Sequence, residues 1–231
     1  MRYIFAYIFA FTTSLMFSLG QNINPSVGGI TLAPLLTSGK SVDGDVHFYK
    51  NWSAGSVQIN VGSAPVLLSN MMYDIAEDKV LAKTDEGIFA FPKGSLLGFS
   101  LKILDEKNNR IKTYQFVSGL EGIASFDVGS FFLLNYGSDK IKLLTKVSSS
   151  LQKKAGSSYG SKTEDYEYVR EERLFIYKDG KGVEIKKNKK SILAALGGDT
   201  KDLENFIRVN KLNLKKEDEI TALLKYFETK I

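Results

Sequence analysis

The chain of 231 residues contains no cysteine, one histidine, one tryptophan and four prolines. Without cysteine there is no disulfide, thiol nucleophile, thiolate zinc site, iron–sulfur cluster or cysteine for lipid attachment. His47 stands alone, so a zinc site would lack most of its usual ligands. A Ser–His–Asp arrangement needs only one histidine, but no Gly-x-Ser-x-Gly elbow frames any serine here. No phosphate-cradling glycine loop and no 12-residue calcium loop is present either. No cofactor, metal ligand or catalytic residue is expected on these grounds.

Long apolar runs are also missing, except at the start. Met1-Arg2 leads into Tyr3 to Phe11 and Leu15-Met16-Phe17, with small residues at Ser18 and Gly20. This is the layout of a secretory signal peptide, with cleavage expected after Gly20. A retained anchor is the rival, but Thr12-Thr13-Ser14 interrupts the run and no basic stop follows Gly20. A spanning helix needs about 20 predominantly apolar residues. Export to the periplasm, outer-membrane surface or exterior follows from this reading, with no transmembrane segment after cleavage.

What remains has ample material for a core, because 43% of the chain is hydrophobic and 12% aromatic. Its charge is uneven. Residues 21–150 hold 12 basic and 12 acidic side chains, whereas residues 151–231 hold 18 and 14. A change of architecture near residue 150 is expected from that shift. Specific nucleic-acid binding is not, since no clustered basic face with interleaved aromatics and no recognisable module occurs.

Residues 21–50 carry Pro25, Gly28-Gly29, Pro34 and Gly39 and read as an extended lead-in. Residues 51–187 read as an antiparallel β domain. Ser56 to Val61 alternates apolar and polar residues, and turns at Gly62-Ser63, Ala76 to Lys79, Asp85-Glu86-Gly87 and Asp105 to Asn109 punctuate apolar runs. Ser130 to Tyr136 and Lys140 to Val147 form another pair, and Asp179-Gly180 signals a hairpin between Tyr166 to Tyr177 and Gly182 to Lys187. Residues 148–165 are polar, low in complexity and read as a mobile loop. The expected fold is mainly β, an antiparallel meander curled into a sandwich or open barrel, with a short C-terminal helical segment.

Residues 188–231 switch to helical period and are expected to pack on the sheet. Ile192, Leu193 and Leu196 mark a helix stopped by Gly197-Gly198. Asp199 is placed to cap a second helix with Leu203, Phe206 and Ile207 inward. Asn213 is placed to cap a third, with Ile220, Leu223, Leu224 and Phe227 inward and Glu217-Asp218-Glu219 at its positive end.

Candidate chemistry is sparse. Asp74, Glu77 and Asp78 cluster near one turn, as do Asp43 and Asp45, and a carboxylate pair is all that glycoside hydrolysis requires. The plain reading is that such acids bond the turn backbone. Lys186, Lys187, Lys189 and Lys190 offer an anionic surface a contact by charge, or simply solvate a hairpin end. Trp52 reads as core beside an apolar strand, since a sugar platform usually presents more than one aromatic ring. Asn51-Trp52-Ser53 is a glycosylation sequon, relevant only in a eukaryotic secretory route.

Trp52-x-x-Gly55-x-Val57, Tyr73-Asp74-Ile75 with Asp78-Lys79-Val80, Lys189 to Leu193, and Phe206-Ile207-x-x-Asn210-Lys211-Leu212 together resemble a layout found among uncharacterised secreted β-rich proteins of Gram-negative bacteria. The resemblance spans Tyr49 to Tyr226. It implies export and a β-rich body followed by a helical tail, and it supplies no activity or site residues. The expected function is a non-catalytic cell-envelope or surface protein acting as a binding or assembly module, its partner another envelope protein or an anionic surface. The alternative is a secreted hydrolase using paired carboxylates or a serine with His47.

Overall fold

The computed structural model describes residues 25–35, 43–154, 166–198 and 200–231. The signal-like segment and the Asp199 cap lie outside these residues. The described chain is mainly β and antiparallel, with three helices at its C-terminal end. A small hairpin pairs β1 (Ser26–Val27) with β2 (Ile30–Thr31). The other twelve described strands join one sheet.

Four strands form the first meander: β5 (Ser53–Gln58), β6 (Val66–Asp74), β7 (Lys79–Thr84) and β8 (Gly87–Ala90). Six form the second: β9 (Gly98–Asp105), β10 (Arg110–Val117), β11 (Phe132–Gly137), β12 (Ile141–Lys153), β13 (Tyr166–Lys178) and β14 (Lys181–Ile185). β5 pairs with β9 and fuses the two, giving the order β14-β13-β12-β11-β10-β9-β5-β6-β7-β8-β3, with β3 (Ala33–Pro34) at the far edge. The sheet has two ends and does not close into a barrel. The joint demands close approach: a Cβ on Gly55 would lie 2.0 Å from the Ser100 carbonyl oxygen.

The lead-in is more than extended chain. Leu32 is fully buried, β3 pairs with β8, and β4 (Asp43–Gly44) runs parallel to β13. The Phe48 amide donates to the Tyr73 carbonyl, and the Ile75 amide to that of Val46. Strand chemistry also persists past residue 147. Ser148 to Lys153 pair residue by residue with Glu171 to Tyr166, so six residues read as loop belong to β12. Serine is only a weak loop signal when its partner strand carries Tyr166, Tyr168 and Val169. Lys154 follows the strand, and residues 155–165, the remainder of that expected loop, lie outside the described set.

The tail forms α1 (Lys189–Leu196), α2 (Thr200–Val209) and α3 (Glu217–Glu228). The Asn188 side chain caps α1 by accepting from the Ser191 amide, and Gly197 ends it at φ 66. Asn213 does not cap α3; its side chain accepts from the Lys215 amide, and Glu219 reaches back to the Asn213 and Leu214 amides. Ile220, Leu223, Leu224 and Phe227 bury against Ile141, Leu143, Leu174 and Ile176 of β12 and β13. A second core gathers Tyr73, Phe99, Phe116 and Phe131 with their aliphatic neighbours. The helices thus cover one end of a sheet face and leave the adjoining part open.

Candidate functional site

The β6–β7 turn fixes the acids the sequence singles out. One Asp74 carboxylate oxygen accepts from the Ala76 and Glu77 amides, both at 2.9 Å, as an aspartate at a turn does. Glu77 pairs with Lys79 at 2.5 Å on the surface. Asp78 behaves differently. It adopts φ 55, a left-handed conformation that aspartate tolerates better than most residues, and its carboxylate turns inward.

There Asp78 meets Lys146 at 2.7 Å, with side-chain exposures of 18% and 4% respectively. The Tyr73 hydroxyl donates to the same carboxylate at 2.6 Å, and the Lys146 ammonium also donates to the Phe131 carbonyl at 3.1 Å. Burial holds Lys146 below the usual lysine range, and Asp78 opposes that shift. Burial, then Asp78, pushes the Tyr73 phenol well above its ordinary value, so it remains a donor. The cluster is enclosed by Phe126 and Phe132 as well, whose ring centroids lie 5.7 and 5.6 Å from the ammonium. Every member is satisfied within the protein, which suits a locked core network.

His47 pairs its backbone with Asp74 through an isolated bridge. That bridge makes His47 a cross-strand neighbour of Asp74, while Asp74 bonds its own turn, Glu77 a surface lysine and Asp78 the buried Lys146. Asp45 is exposed at the end of the lead-in. Among the basic residues, Lys187 pairs with Glu217 at 3.1 Å and Lys189 with Glu204 at 3.3 Å, so two of the four lysines are already neutralised. Trp52 is partly buried against Met72, Leu81 and Ala90. Among the described residues no group of three or more His, Asp or Glu is placed to hold a metal ion.

The open part of the sheet face forms a trough the sequence did not reveal. Its first lobe, about 660 Å³, has Phe48, Tyr49, Ile103, Tyr114, Leu133 and Thr145 among its lining, with Arg170 and Glu172 above them. Its second, about 650 Å³, runs between β10 and the first half of α3. Lys112, Tyr114, Leu133 and Glu217 line both lobes, making them continuous. Lys112 lies 4.5 Å from the Tyr114 ring centre and Arg170 lies 5.1 Å from that of Phe48. Arg170 donates to the Phe48 carbonyl and to Glu172, tying the lead-in to β13 as one wall.

The trough exists because two strands part. β10 and β11 pair only at Phe116↔Leu133 and Val117↔Phe132, whereas β10 pairs with β9 from Arg110 to Val117. β11 meanwhile follows β12, with an irregularity between Leu134 and Tyr136. The Asn135 side chain is held by Thr145 and Glu217, which anchors the start of α3 over β11. The chain matches no protein-family model, no curated protein and no solved structure.

Proposed function

We propose that this is an exported cell-envelope or surface protein that works by binding, with the trough beside α3 as its working surface. The observation that carries the reading is the trough: half-buried aromatic side chains form its floor, and charged groups of both signs stand at its rim. Concave sites with an apolar floor and a few fixed polar groups are the usual form of a binding surface. The hydrolase alternative draws no support from Asp74, Glu77 and Asp78, which bond their own turn, a surface lysine and a buried one respectively. Among the described residues no helix is long and apolar enough to cross a membrane. Export rests on the N-terminal sequence pattern.

Two measurements test this. N-terminal sequencing of protein recovered outside the cytoplasm should begin at Gln21; a chain starting at Met1 and held in the membrane would overturn export. Mature protein mixed with washed Gram-negative envelopes should co-sediment, and Tyr114→Ala or Lys112→Glu should reduce the bound fraction several-fold while Lys190→Ala leaves it unchanged. Equal sedimentation of all four proteins would remove the trough from the account.

A further inference from the structure

Backbone groups in a sheet are normally paired on both sides unless the strand is an edge. β10 lies in the interior of the strand order, yet from Arg110 to Gln115 it has β9 on one side and no strand on the other among the described residues. This is an internal free edge, six residues or about 20 Å long at the usual strand rise of ~3.4 Å. Across the gap stand Leu134 and Asn135 of β11 and the Thr221 and Ala222 face of α3.

We infer that this edge takes an extended polypeptide strand from a partner, added beside β10 in the cleft under α3. The inference rests on the binding reading above and names its ligand class. An unpaired main-chain edge is complementary to another main chain, and strand addition draws its affinity from those hydrogen bonds and its specificity from alternate side chains. One face of the added strand meets Tyr114 and Leu133. The opposite face meets Ile111, which points outward from β10 and is 69% exposed.

Charge selects further. Glu217 is held by Lys187 and Asn135, and the Asp218 carboxylate accepts from the Glu219 amide. Lys112 and Lys225, which both line the cleft, rest on the rings of Tyr114 and Tyr136. An acidic side chain on the strand's inner face meets these two cations, so the partner segment alternates apolar and acidic residues on that face. Arg110 and Lys112 on the edge itself repel a second β10, which discourages self-pairing.

The test is selection of displayed random octapeptides on the mature protein. Enriched peptides should carry an apolar and acidic alternation, and should slow amide hydrogen exchange in Arg110 to Gln115. N-methylation of alternate peptide amides should abolish binding, whereas methylation of the intervening ones should not. Ala222→Trp, which fills the cleft, should weaken binding at least tenfold, with Lys112→Glu as a second variant. No enrichment, enrichment of peptides that leave β10 exchange unchanged, or indifference to N-methylation would each overturn the inference. Concentration-dependent dimers that protect the same amides would assign the edge to a second copy and overturn it too. If peptides fail while envelope co-sedimentation still depends on Tyr114, the strand is wrong and the binding surface stands; loss of both removes the binding reading itself.

Discussion

Asp78→Asn isolates what the buried ion pair contributes, because the new side chain keeps the shape and still offers an oxygen to the Tyr73 hydroxyl. What disappears is the negative charge beside a lysine that is 4% exposed. Breaking a buried pair by removing one partner costs about 3–5 kcal/mol. Asp78 is 18% exposed, and Lys146 retains its bond to the Phe131 carbonyl, so the low end, about 3 kcal/mol, applies. At a urea m-value of roughly 2–3 kcal/mol/M this is a fall of about 1–1.5 M in the unfolding midpoint at pH 7.

The pH dependence gives a second handle on the same variant. Burial already depresses Lys146 in the folded state, and losing Asp78 removes the charge that opposes the shift. The unfolded chain then binds more protons than the folded one below the ordinary lysine value of about 10.4, so stability rises with pH in that window. The variant should recover part of its loss between pH 7 and 9.5, below the range where tyrosine titrates in the unfolded chain. Adding Lys146→Met should restore most of the stability at pH 7, since an apolar replacement of a buried pair is often neutral. A loss under about 1 kcal/mol that does not change with pH would refute the reasoning.

Leu223→Ala should cost about 2–5 kcal/mol, because Leu223 is fully buried between α3 and the sheet; an unchanged denaturation midpoint would mean the tail is undocked. Gly55→Ala should destabilise by roughly 2–3 kcal/mol, since its Cβ would force β5 and β9 apart at the joint of the two meanders, and a neutral effect in urea unfolding would contradict that joint. Tyr136 donates to Glu228, and that bond raises its phenol to about 12. Its contribution is complete below the ordinary tyrosine value near 10 and is lost as pH rises through about 12, so the stability gap between wild type and Tyr136→Phe should narrow from pH 8 to pH 11.5. A constant gap would break the assignment.

Local patterns in the sequence carried the elements well. Asp179 and Gly180 both adopt left-handed φ, 51 and 72, as the hairpin signal required. The apolar stripes of the tail are the faces that bury. Long-range features were not legible. Lys146 sits in the run Leu143-Leu144-Thr145-Lys146-Val147, where a charge among buried neighbours implies a partner, but nothing local points to Asp78 on the β6–β7 turn. The trough depends on β10 and β11 parting after two paired residues, and on α3 returning over β11 from the end of the chain. Each strand alone shows only its own alternation, so neither its neighbour nor the gap beside it is encoded locally.

Entry of ligand between β10 and α3, as proposed, is best read from amide chemical shifts. Labelled mature protein titrated with clarified, sonicated Gram-negative envelope fragments should show changes concentrated at Lys112 to Gln115, Leu133 to Asn135 and Glu217 to Lys225. Changes confined to Lys186 to Lys190, or to the opposite face around Ser56, Leu67 and Ser100, would contradict the account.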